Sequence, residues 1–180
     1  EQSVTYACRV VIQGTGPIGI LAIAAAQEMG AGRVIAVGAP ESPRLKLARE
    51  FGAEATVDIE RYKTADERIK AVRDIVGGYG ADVVMDCSGH PTAGPEGIEF
   101  LRDGGTYVEM GQFTDAGSIM TSWHRICTKD LNLLGSLAFT ANDLALGVEM
   151  LSKARDKYPW RKMQTLYPFT LDGVEQATLR

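Results

Sequence analysis

The sequence predicts an α/β protein built on a doubly wound, six-stranded parallel sheet with helices on both faces. Three observations carry that prediction. Short apolar runs alternate with Ala-rich or amphipathic segments through most of the chain, the pattern of repeated strand and helix units. The connections are short and rich in glycine, which supplies 20 of the 180 residues. The first apolar run passes into the first helical segment through Gly14-Thr15-Gly16-Pro17-Ile18-Gly19, a glycine turn in strand-to-helix context.

Taken in order, Arg9 to Gln13 is an apolar run ending at glycine and reads as a buried strand. Pro17 to Met29 reads as a helix, with proline in its first turn and Gly30 as its stop. Arg33 to Val37 is the second strand. Ser42-Pro43 supplies an N-cap and a proline at N1 for a helix running to Phe51 and closed by Gly52. Ala55 to Val57 is the third strand, and Thr64-Ala65-Asp66-Glu67 matches a capping box for a helix reaching Val76. On that helix Asp66, Lys70 and Asp74 fall at i,i+4 spacing and read as a solvated face. Val83 to Cys87, after Gly77, Gly78 and Gly80, is the fourth strand. A helix near Gly97 to Leu101, a Gly104-Gly105 turn and a fifth strand from Thr106 to Met110 follow. A helix near Ser122 to Thr128 and a sixth strand from Asn132 to Leu134 complete the sheet. Residues 1–140 thus read as one domain. Residues 141–180 read as a helical tail, with a long helix from Thr140 to Tyr158 and a last one opened by Asp172 with Glu175.

Composition narrows the function. A chain that is 45% hydrophobic and 23% charged has the make-up of a globular protein. Its net charge of −4, without a basic cluster, argues against a nucleic-acid partner. The longest apolar run, Ile18 to Ala26, is well short of the ~20 residues of a bilayer span, so no membrane partner is expected. Cys8, Cys87 and Cys127 lie far apart with no CxxC, which points away from a disulfide framework or zinc knuckle and toward a reducing, cytoplasmic setting. The chain opens on Glu1 without a leader or an initiator methionine and reads as part of a longer protein. A small-molecule partner is the remaining expectation.

The glycine turn suggests which molecule. Gly14 would make the tight turn, Gly16 would let the backbone approach a pyrophosphate, and Gly19 would let the helix pack close to the sheet. The anion would rest on the free N–H groups and positive dipole end of the helix. The end of the second strand separates NAD from NADP, because an acidic residue there hydrogen-bonds the ribose and repels a 2′-phosphate. Here that place holds Gly38, followed by Ala39 and Pro40, with Arg44 close enough to reach either a ribose hydroxyl or a phosphate. Both cofactors stay open, with a slight lean to NAD.

Other strand ends face the same crevice: Cys87-Ser88-Gly89, Met110-Gly111-Gln112 and Gly135-Ser136. His90, between Gly89 and Pro91, reads as an exposed loop residue bordering the crevice, and His124 as structural. Cys87 closes an apolar strand with no base beside it and reads as a buried, inert thiol. No side chain reads as a catalytic acid or base, and none as a metal ligand.

The strings Val10 to Gly19, Gly30 to Ile35, Arg44 to Ala48 with Phe51-Gly52-Ala53, Gly80 to Val84 with Asp86 to Gly89, and Lys129-Asp130-Leu131 with Leu134-Gly135-Ser136 carry a family resemblance. Together they resemble the cofactor (Rossmann) domain of the medium-chain dehydrogenase/reductase superfamily, specifically its zinc-type alcohol dehydrogenases. The resemblance implies hydride transfer between a nicotinamide cofactor and an alcohol or carbonyl. It implies a pyrophosphate at Gly16 to Gly19 and nicotinamide contacts from backbone near Met110 to Gln112 and Ser136 to Ala138. It also implies catalytic zinc and a proton relay in an N-terminal domain preceding Glu1, and a homodimer paired through the sixth strand, where Leu131, Leu133, Leu134 and Leu137 cluster. Gly38 departs from the aspartate of many NAD-using members, while Arg44 roughly matches a basic residue that touches the adenosine ribose. Two alternatives remain: the cofactor domain of a zinc-independent enoyl or quinone reductase, and a stand-alone module sensing NAD(H).

Overall fold

The structure, a computed structural model, describes residues 6–179. Its strands are β1 (Arg9–Gln13), β2 (Arg33–Gly38), β3 (Ala55–Asp58), β4 (Ala81–Asp86), β5 (Leu101–Glu109) and β6 (Asn132–Gly135). All pair in parallel, in the order β3-β2-β1-β4-β5-β6. The predicted doubly wound sheet is therefore the observed one. The chain starts at the centre, winds outward to β3, and crosses back to place β4 beside β1. That crossing is the switch point, where the connections leaving neighbouring strands go to opposite faces and open a crevice.

Because helices cover both faces, the central strands carry unbroken apolar runs, Val10 to Ile12, Val34 to Val37 and Val83 to Met85. On one face Val10, Ile12, Val34 and Ala36 pack against α1 (Pro17–Glu28) and α2 (Lys46–Glu50) through Ile20, Ile23, Ala48 and Phe51. On the other, Val11, Ile35, Val37 and Val84 meet α3 (Ala65–Ile75) and α4 (Ala93–Phe100) through Val72 and Phe100. The capping box opens α3 as predicted: Thr64 Oγ1 accepts from Glu67 N, and the Glu67 carboxylate accepts from Thr64 N. Lys70 pairs with Asp74 on its solvated face.

Three local expectations within the sheet domain are corrected. Ser42 does not cap a regular helix: that helix begins only at Lys46, after an irregular turn over Glu41–Leu45 that contains Pro43, follows Pro40 and holds Ser42 in an extended conformation. Gly104-Gly105 does not separate two elements. Strand β5 begins at Leu101 and carries a register shift against β4, with Gly104 at φ +70 and its N–H donating to Lys129 O. Helix α4 starts at Ala93, four residues earlier than the sequence suggests, despite Gly94, Pro95 and Gly97. Gly97 is there because a Cβ would collide with the Tyr107 ring and come within 2.5 Å of Gln13 Oε1.

After α5 (Trp123–Thr128), the tail holds α6 (Ala141–Lys153) and α7 (Leu171–Thr178). Helix α6 ends five residues before Tyr158, because Pro159 disfavours helical backbone just ahead of it and Trp160 Nε1 caps the Ala154 carbonyl. Thr170, and not Asp172, caps α7, accepting from Gly173 N. The segment between them returns to the sheet domain. Tyr158 stacks on Phe51 at 5.6 Å between ring centroids, Trp160 meets Phe51 edge-on at 5.3 Å, and the Tyr158 hydroxyl donates to Glu28.

Candidate functional site: a crevice at the switch point

A cavity of about 400 Å³ opens at the carboxyl ends of β1, β2 and β4. Its floor is the turn Gly14-Thr15-Gly16. Gly14 has φ +95, and a Cβ there would stand 2.8 Å from the Cys87 carbonyl, so the β1 and β4 ends approach through glycine alone. A Cβ on Gly19 would run into the Gly14 carbonyl oxygen, which is how closely α1 folds back on the turn. Above Gly16 nothing lies within 4 Å of where a Cβ would stand, leaving its backbone open to the crevice. Helix α1 thus presents its N-terminus to open space, with Gly16 as its N-cap and no side chain closing it.

The other predicted residues divide into two groups. Gly38, Ala39, Arg44, Cys87 and Ser88 line the cavity with Gly14, Thr15 and Gly16. Pro17, Ile18, Gly19, Met110, Gly111, Gln112 and Ser136 do not line it. Ile18 is exposed on α1 beside the turn, while Gly111 is buried against the Gly89 backbone. Met110 packs on the first core, and Ser136 is exposed, its N–H bonded to Glu109 O. Exposed His90 also lines the rim, its Nδ1 2.9 Å from Thr92 Oγ1. His124 is exposed on α5 and does not line the cavity.

Charge is arranged unevenly around the cavity. Arg68 of α3 and Glu96 of α4, both largely buried, form a two-pronged ion pair on its wall, with Arg68 also donating to the Tyr62 carbonyl. Arg44 has no hydrogen-bond or ion-pair partner among the described residues and is exposed at the mouth. Four buried side-chain atoms near the strand ends also lack partners: Gln13 Oε1, Thr15 Oγ1, Asp86 Oδ2 and the Tyr107 hydroxyl. Burial, reinforced by the charges of Asp86 and Glu109, pushes the Cys87 thiol up to about 12 and holds the Tyr107 phenol above its ordinary range. The inert thiol expected at Cys87 is in keeping with this.

The sequence reading missed Arg68, Glu96, Ile59 and the strand-end acids. Arg68 lies on a helix whose charges look solvated, and its partner is 28 residues away, so no local signal existed. Asp86 and Glu109 did carry one, since each is a charged residue closing an apolar strand.

Strand order and glycine turn together define a doubly wound α/β domain of the Rossmann type. Residues 17–153 match the family model described as "Zinc-binding dehydrogenase", and the chain belongs to that family. It is 36% identical over 157 residues to the "Probable D-xylulose reductase A" of Emericella nidulans, covering 86% of this chain and 42% of that one. An alcohol dehydrogenase structure from Thermotoga maritima matches with a TM-score of 0.77 at 32% identity, over 84% of this chain and 41% of that one. A zinc-binding dehydrogenase of Sinorhizobium meliloti bound to NADP matches with a TM-score of 0.72 at 26% identity, over 84% and 43%. The chain spans less than half the length of each of these relatives.

Proposed function

We propose that residues 1–140 form the dinucleotide-binding part of a zinc-type alcohol or polyol dehydrogenase and hold NAD(H) or NADP(H) in the switch-point crevice. The observation that carries this reading is the open backbone of Gly16 at the uncapped start of α1, inside a cavity large enough for part of a dinucleotide. The pyrophosphate would lie on Gly16 to Gly19, the adenosine ribose by Gly38, Ala39 and Arg44, and the nicotinamide near Met110 to Gln112 and Ser136. When bound, that cofactor supplies the hydride acceptor or donor for an alcohol or carbonyl substrate. This chain's residues would bind and orient it. Zinc would belong to the part of the relatives' length that this chain does not span. Residues 141–180 would rejoin that domain.

The test is titration of the chain with NADH, followed by nicotinamide fluorescence, for wild type and Gly16→Ala. Gly16 has φ −75, which alanine tolerates, so melting should hardly change while affinity falls about tenfold or more as the methyl displaces the phosphate. Equal affinities would sink the reading. The outer edge of β6, with Leu133, Leu134 and Leu137 exposed, supports a homodimer, which sedimentation would detect. The three free thiols support a cytoplasmic setting. Among the described residues no helix is long and apolar enough to cross a membrane.

A further inference from the structure

Gly38 ends β2 directly beneath Thr15. A Cβ built on Gly38 would stand 2.5 Å from Thr15 Oγ1, 2.9 Å from its Cγ2 and 3.2 Å from its Cβ. Rotation about χ1 gives no escape. The two γ atoms of threonine always occupy two of three staggered positions, and both positions facing Gly38 are already filled, so any rotamer leaves one of them blocked. Thr15 is itself held, being buried at 5% exposure between the ends of β1 and β2, and its hydroxyl has no hydrogen-bond partner. Packing over Gly38, and not a hydrogen bond, therefore accounts for the side chain at this place in the turn.

We infer that Thr15 is a specificity-determining residue: by filling the space over Gly38 it bars any carboxylate from that strand end, so that the crevice admits a 2′-phosphorylated dinucleotide. This rests on the dinucleotide reading above. The neighbouring charges agree with it. Glu96 is engaged by Arg68, and Glu41 by Arg49, while Asp58, in register beside Gly38 at the end of β3, accepts from Glu60 N and does not line the cavity. Arg44 is the cavity's unpaired charge and is positive. A 2′-phosphate on the ribose would meet the Arg44 guanidinium, and no unpaired carboxylate lines the cavity among the described residues. The slight lean to NAD drawn from sequence is thereby reversed in this inference.

The test titrates the chain with NADPH and with NADH for wild type, Gly38→Asp and the double variant Thr15→Ala/Gly38→Asp, with melting temperatures alongside. Wild type should bind NADPH at least as tightly as NADH. Gly38→Asp alone should melt lower and lose affinity for both. The double variant should regain stability, with its preference moved about tenfold or more toward NADH. Wild type preferring NADH, or Gly38→Asp alone switching preference without loss of stability, would overturn the inference. If Gly38→Asp does not fold, Gly38→Ala and Thr15→Ala/Gly38→Ala decide: the single variant should melt below wild type and the double should recover, and equal melting would overturn the pair. Wild type binding neither dinucleotide would instead overturn the functional reading, and would leave Thr15 over Gly38 as a packing contact only.

Discussion

Asp86 and Glu109 stand side by side in register at the ends of β4 and β5, and each closes the turn that follows its own strand. Asp86 Oδ1 accepts from Ser88 N and from Ser88 Oγ, both at 2.7 Å. Glu109 Oε1 accepts from Gly111 N and Gln112 N. The two turns then touch, since a Cβ on Gly111 would come within 2.5 Å of Gly89 N and 3.0 Å of Asp86 Oδ2. Two neighbouring carboxyls thereby shape the backbone on the side of the crevice where the nicotinamide is proposed to lie.

That pairing makes stability depend on pH. Burial first, and then the charge of Asp86, raise the Glu109 carboxyl above the ordinary carboxylate range, outweighing the N–H groups of Gln112 and Gly111. Between the unfolded and the raised folded value, the folded chain thus keeps a proton that the unfolded chain has released. The stability from this group is full below the ordinary Glu value of about 4.3 and is lost as pH rises through the raised folded value. Glu109→Gln keeps the Oε1 acceptor and removes the charge. It should melt above wild type at neutral pH and match it below about pH 4; thermal melts at both pH values check this, and a constant offset would contradict it.

The Arg68 and Glu96 pair should be costly to break and cheap to replace. Arg68→Met leaves the Glu96 carboxylate buried without its guanidinium, at a cost of about 3–5 kcal/mol by chemical denaturation. Arg68→Met/Glu96→Leu should recover most of that loss, because two apolar side chains need no desolvated charge. Additive losses in the double-mutant cycle would show that the two residues act separately.

Phe51 holds two parts of the chain together. It is fully buried in the first core and also forms the platform for Tyr158 and Trp160. Phe51→Ala should cost about 3–5 kcal/mol in urea unfolding. Trp160 fluorescence should shift toward that of exposed indole as the returning segment loosens. An unshifted spectrum would mean that the segment docks without Phe51.

The three cysteines should separate by reactivity. Cys127 is exposed, Cys8 is buried, and Cys87 is part-buried with its thiol pushed up to about 12. At pH 8 an aromatic disulfide reagent should label one thiol quickly, and Cys127→Ser should remove that phase. A second fast thiol in the folded chain would contradict the burial of Cys87.

Much of this fold is legible in sequence because its signals are local. Strand β1 needs only five consecutive residues to announce itself, and the Thr64 to Glu67 box that opens α3 is complete within four. The glycine turn is equally local, since Gly14 and Gly19 answer to the backbone of the same turn and helix. Where the reading faltered, the deciding partner was remote. Helix α4 tolerates Gly97 because Tyr107 of β5 takes up its missing side chain.

By itself, then, the sequence determined the order and type of the elements, the parallel sheet they form and the place of the glycine turn, because each follows from hydrophobic period and backbone chemistry over a few residues. Only the tertiary structure decided which groups meet in and around the crevice. Arg68 meets Glu96, Asp86 comes beside Glu109, and Thr15 covers Gly38 through contacts between elements distant in the chain. The chain's own pattern names Gly38 as an absent acid; the threonine packed above it is the physical reason that no acid fits there.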